Sequence, residues 1–109
     1  MTIDDPLYVK VDPTFVFCGK SMRATSPVMR AAMELYVNEG IPPGSFLTAV
    51  ICKELEMAIQ RADSNNMWLI PLYYAWFHNE VTAECWGSSE KMRAWVNKKH
   101  AEREAKKCL

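Results

Sequence analysis

Residues 67–77, MWLIPLYYAWF, constrain this chain more than any other stretch. The chain has four Trp, four Tyr and four Phe. Five of them fall here: Trp68, Tyr73, Tyr74, Trp76 and Phe77. No charged or amide side chain interrupts the run. At helical period, Met67, Ile70, Tyr74 and Phe77 share one side, while Trp68, Leu72 and Ala75 share another, so no polar stripe is left. A segment apolar all round belongs at the centre of a protein or inside a membrane. Eleven residues fall short of the roughly 18 that a membrane span needs. The segment is therefore expected to be a buried central helix, with Trp68 and Trp76 both in the core. Pro71 forces a choice between a helix that begins near Ser64 and bends, and a short first turn followed by a new helix that Pro71 opens.

A chain of 109 residues is expected to form one domain. Half of it is hydrophobic, enough for a core without metals or disulfides. Thirteen basic and thirteen acidic residues cancel. That balance argues against an acidic DNA mimic, and equally against a basic protein that coats nucleic acid directly. The charge is uneven along the chain, however. Residues 63–86 hold three acidic and no basic residues, whereas 87–109 hold seven basic and three acidic.

The rest of the chain reads as helices joined by punctuated turns. Residues 7–11 (LYVKV) and 14–18 (TFVFC) are extended segments around Asp12-Pro13, read as a hairpin or as an extended arm. Residues 19–27 read as a polar loop. Ser26 and Pro27 start a helix, and Gly40 ends it with Pro42-Pro43 behind. A second helix is expected from Ser45 to near Asp63, because Leu47, Ile51, Leu55, Ala58, Ile59 and Ala62 recur at helical spacing. Residues 81–87 read as a linker. Ser88 caps a last helix whose apolar face is Met92, Trp95 and Val96. Beyond it lies a charged helical tail, residues 97–109, which the core does not need. The fold class is thus mainly α: a compact domain of four helices, a helical core over 24–96, and a short N-terminal β-hairpin or arm within 1–23.

The candidate chemistry is thin. Gly19-Lys20-Ser21 lacks the earlier glycine of a phosphate loop, since position 14 is threonine. Lys20, Ser21, Arg23 and Ser26, with Thr25, do cluster before a helix N-terminus, where free N–H groups favour anions. Capping alone explains Ser26. His78, Glu80, Glu84 and Cys85 match no metal-ligand spacing, and His78 with Cys85 lacks an orienting third group. No catalytic residue, metal or cofactor is expected. The cysteines Cys18, Cys52, Cys85 and Cys108 form no C-x-x-C pair, and MTIDDP opens without the apolar run of a signal peptide. Free thiols in a reducing cytoplasm, away from any membrane, are the expectation.

Three stretches carry a resemblance. IPPGSFLTAVICKEL (41–55), Asn79-Glu80, and Cys-Trp-Gly-Ser at 85–88 resemble features of small tailed-phage and prophage proteins, over roughly residues 24–96. The resemblance implies a phage setting and transfers no catalytic residue. In that setting the chain is expected to act by binding, as an inhibitor of a bacterial defence or host complex in the manner of an anti-CRISPR protein. A structural or regulatory homo-oligomer, such as a homodimer, is one alternative. A binder of a small phosphate-bearing ligand at Lys20, Ser21, Arg23 and Ser26 is another. The expected partner surface combines Trp86, because Trp is enriched at interface hot spots, with the tail cations Lys98, Lys99 and Arg103.

Overall fold

The computed structural model describes residues 8–107. Leu7 and Cys108 lie outside the described residues. The fold is mainly helical, with a short antiparallel hairpin near its N-terminus. The strands are β1 (Val16–Phe17) and β2 (Lys20–Ser21), in register Val16 with Ser21 and Phe17 with Lys20. Six α-helices follow: α1 (Pro27–Glu39), α2 (Ser45–Ile51), α3 (Leu55–Arg61), α4 (Ser64–Met67), α5 (Ile70–Glu80) and α6 (Ser89–Lys107). Single 3-10 turns occupy Met22–Ala24 and Ala83–Cys85.

The hairpin does not turn where Asp12-Pro13 suggested. Its turn is Cys18-Gly19, both with positive φ (51° and 77°), the geometry that matches the twist of a two-residue hairpin loop. Asp12 instead closes a local turn by accepting from the N–H and hydroxyl of Thr14 at 2.8 and 2.6 Å. The segment before it is an extended arm held to α1. Val9 exchanges two 2.8 Å hydrogen bonds with the side chain of Asn38, and the Val11 N–H donates to Glu34 at 2.8 Å. The expected loop 19–27 also proves more ordered than its polarity suggests. Met22 is fully buried, and Arg30 donates to the carbonyls of Met22 (2.9 Å) and Thr25 (2.5 Å).

Helix α1 begins and ends as its sequence dictates. The Ser26 hydroxyl accepts from the Met29 N–H at 3.2 Å, Pro27 takes the first position, and Gly40 closes the helix at φ 68°. The helix expected over 45–63 is two helices. Lys53, at φ 56°, stops α2. The Lys53 N–H donates to the carbonyl of Val50 at 3.0 Å and the Glu54 N–H to that of Ala49 at 2.9 Å. These are the paired bonds of a Schellman C-terminus, in which lysine fills the position usually given to glycine. The break turns Leu55 and Ile59 outward, although the unbroken pattern would have buried them. Hence six helices where the pattern suggested four.

Pro71 opens a new helix rather than bending an old one. Asp63 caps α4 by accepting from the Asn66 N–H at 2.7 Å, and the chain then resets at Trp68-Leu69 before α5. Pro71 sits in the first turn of α5, where a missing N–H costs nothing. The reset also removes Trp68 from the helical wheel. Trp68 is 72 % exposed, against the expectation of a core residue, while Trp76 is fully buried.

Helix α5 is nonetheless the centre of the core. Tyr73, Trp76 and Phe77 are fully buried, and α5 packs on α2 and on β1. Phe46 meets Tyr73 edge-on at 5.3 Å, and Trp76 meets Phe77 at 5.1 Å. The buried Tyr73 hydroxyl donates to Asn66 at 2.7 Å, so the oxygen of this buried amide is satisfied. Opposite, α6 closes on α1. The Trp95 indole N–H is shared between the carbonyls of Tyr36 and Val37, 3.2 Å from each. No described helix is long and apolar enough to cross a membrane.

Candidate functional site

The residues singled out in sequence fall into three places. The tail cations are drawn into the fold. Lys98 pairs with Glu84 at 3.1 Å and lies 5.3 Å from the Trp95 ring centroid. The side chain of Lys99 is only 12 % exposed; its ammonium lies 4.8 Å over Trp95 and 3.2 Å from Glu102. Its Cβ also fills the space beside Gly40, where an added methyl would come within 2.4 Å. Arg103 donates to the carbonyl of Glu39 at the end of α1, where a cation complements the helix dipole. Residues beyond Val96 therefore do help to hold the core, which corrects the expectation that they are dispensable for it. Lys99 and Arg103 fasten α6 to the end of α1, whereas Lys98 stays half-exposed in its pair with Glu84.

In the loop cluster Ser26 is engaged locally, while Lys20 and Arg23 are exposed. Lys20 and Ser21 lie in β2 and Arg23 in the following 3-10 turn, while the hydroxyl of Ser26 is taken by the Met29 N–H. Arg30 and the Thr25 hydroxyl bond the carbonyls of this loop. The charge at its heart is thus a cation serving oxygens.

Trp86 is only 6 % exposed, correcting the expectation of a surface anchor. The linker that carries it is pinned on both sides of Trp86. The Tyr36 hydroxyl donates to the Cys85 carbonyl at 2.6 Å, and the Gly87 N–H donates to the Ile51 carbonyl at 2.7 Å. Trp86 packs 5.6 Å from Phe77 and 6.1 Å from Tyr74 between ring centroids. Its remaining face is covered by Lys53, whose ammonium stands 4.6 Å from the ring centroid.

That face is the wall of a groove. Phe17, Lys53, Pro71, Tyr74, His78 and Trp86 line a hollow of about 430 Å³ between the hairpin, one side of α5 and the linker. Across Lys53, Pro71 and Tyr74 lies a neighbouring hollow of about 380 Å³, bounded by Leu55 and Ile70. Phe17 and Leu55 are 40 % and 53 % exposed. The Tyr74 hydroxyl is shielded from solvent and has no hydrogen-bond partner among the described residues. Burial pushes its phenol above the ordinary range, with the Cys52 and Glu54 side chains adding to the rise.

Sequence reasoning reached Trp86 but missed the rest of this groove. Phe17 was read into a strand, Leu55 into a buried helical face, and Lys53 into a solvated one. The residues once weighed as a dyad do not behave as one. Cys85 is fully buried, with its thiol donating to the Thr82 carbonyl at 3.3 Å, and burial raises its pKa to about 11. Such a thiol stays protonated at neutral pH and is a poor nucleophile. Among the described residues, no group of three or more His, Cys, Asp or Glu side chains could hold a metal. What the groove can do is bind: apolar walls supply contact area, and Lys53 supplies one charge to fix orientation. Compared with protein-family models, with curated proteins and with solved structures, the chain matches none.

Proposed function

We propose that this chain is a non-catalytic binding protein that occupies a surface of a partner protein through the groove beside α5. The observation that supports this most is the pair of adjoining hollows walled by Phe17, Leu55, Pro71, Tyr74 and Trp86. Contiguous apolar surface on a small domain marks an interaction site more often than scattered exposed residues do. Aromatic residues beside a cation are also the composition of an interface centre. With the resemblance of its 41–55 and 85–88 stretches to phage proteins, the partner is a bacterial host or defence complex, and the action is inhibition by occupancy. Placing a photoreactive benzophenone amino acid at Phe17, and separately at Ala101 on the tail, tests this in bacteria producing the chain. Cross-linking of one host complex from position 17 and not from 101 is the expected result. Equal cross-linking from both, or none from 17, contradicts the reading.

A homo-oligomer is the second reading. On α1, Val28, Ala31 and Leu35 fall on one stripe and are all exposed. Sedimentation equilibrium decides it. A dimer that Leu35→Glu dissociates supports self-association, and a monomer at all concentrations removes it.

A further inference from the structure

Lys53 stands out twice. It holds a left-handed backbone where glycine is the usual residue, and it is the one fully charged side chain lining both hollows. A non-glycine residue in that conformation is disfavoured, and such exceptions concentrate where a site demands a particular side chain. The Schellman bonds at the end of α2 would form with glycine just as well, so capping does not explain a lysine. What lysine adds is its ammonium, standing over Trp86 at the junction of the two hollows. Among the described residues it makes no ion pair; the neighbouring Glu54 is not within bonding distance and does not line either hollow.

Building on the docking reading above, we infer that the groove takes a segment of the partner protein in which a bulky apolar side chain lies beside an aspartate or glutamate. The apolar side chain fills the hollow between Phe17, Pro71 and Trp86. The carboxylate meets the Lys53 ammonium, which keeps its place over the indole ring while it pairs. A cation already resting on an aromatic face, at the edge of an apolar surface, is partly desolvated before the partner arrives. Its pairing with a carboxylate is therefore worth more than that of a fully solvated lysine. A basic segment would be repelled by the same charge, so the lysine sets preference as well as affinity.

The test is selection of random peptides of about twelve residues, by ribosome display, against the immobilised full chain. Enriched peptides are then measured against the wild type, Lys53→Gly, Phe17→Ala and Leu55→Ala, each checked by circular dichroism. Lys53→Gly retains the left-handed turn but removes the aliphatic stem with the ammonium, so the salt dependence of its effect is what reports the charge. The expected peptides carry a bulky apolar residue within two positions of an acidic one. They bind Lys53→Gly about tenfold more weakly, and that loss shrinks as salt is raised. Apolar peptides without acidic residues, weakened by Phe17→Ala or Leu55→Ala but not by Lys53→Gly, would overturn the acidic preference and leave the docking groove standing. No enrichment over a blank support, or peptides that bind all three variants like the wild type, would overturn the preference and the groove together.

Discussion

The hydroxyl of Tyr36, in the last turn of α1, donates a buried 2.6 Å hydrogen bond to the backbone carbonyl of Cys85. This bond ties the linker to α1 and sets two buried acidic protons side by side. Burial pushes the Tyr36 phenol well above its usual range and raises the Cys85 thiol from 9.0 to about 11; burial likewise raises the Tyr73 phenol. Each group keeps its proton in the native state at pH values where the unfolded chain has lost it. Stability from these groups is therefore full below the unfolded pKa and falls as pH rises through the folded one. Urea midpoints should hold steady from pH 7 to about 9 and then decline toward 11. Burial raises the Cys52 thiol too, so only in the double variant Cys52→Ala with Cys85→Ala should the decline begin about one unit later, when the tyrosines alone titrate. A flat wild-type profile to pH 11 would contradict this burial.

Two tryptophans eight residues apart should behave oppositely. Trp76 is fully buried and Trp68 is 72 % exposed. Trp76→Ala should cost about 3–5 kcal/mol in chemical unfolding, enough to undo a marginal domain. Trp68→Ala should stay within about 0.5 kcal/mol of the wild type. Comparable losses would mean that the reset between α4 and α5 is misplaced.

A backbone series at Lys53 tests the left-handed end of α2. Lys53→Gly removes a strain of about 1–2 kcal/mol and loses a contact with Trp86 of about 0.5–1 kcal/mol. It should therefore unfold within about 1 kcal/mol of the wild type. Lys53→Val, β-branched at φ 56°, should be less stable than both by about 1–2 kcal/mol. If valine were tolerated as well as glycine, α2 and α3 would be one continuous helix in solution.

Reversing Lys98, Lys99 and Arg103 together to glutamate should lower the melting temperature by on the order of 5–10 °C. The exposed Lys98–Glu84 pair contributes little to this. Most of the loss arises where the Lys99 ammonium leaves Trp95, and where the Glu39 carbonyl loses Arg103. Differential scanning calorimetry reads it directly, and an unchanged melting temperature would return these residues to the role of a solvated tail.

Much of this fold is legible in the sequence wherever a special residue marks a boundary. Ser26-Pro27 and Gly40 delimit α1, Ser88 caps α6 by accepting from the Lys91 N–H at 3.1 Å, and Pro71 in its first turn marks α5. Legibility fails where the marker is missing. Lys53 performs a glycine's turn, so the break between α2 and α3 leaves no trace in the apolar spacing. Cys18-Gly19 turns the hairpin, while the stronger turn signal of Asp12-Pro13 closes only on Thr14. The groove was hidden for the same reason. Leu55 reads as core only while the helix is assumed unbroken, and Val16 and Phe17 are both exposed in β1, so no apolar–polar alternation sets Phe17 apart.

Helix α5 is the centre of the domain, with one side, from Pro71 to Asn79, open to the groove. Native-state hydrogen exchange measures that directly. The amides of Tyr73 to Phe77 should exchange last, only through global unfolding, while those of 100–107 exchange through fraying at a far lower cost. Lys53→Gly should leave this order intact. Exchange at Tyr73 to Phe77 as fast as in the tail would contradict the central position of α5, and with it the placement of every residue in the groove.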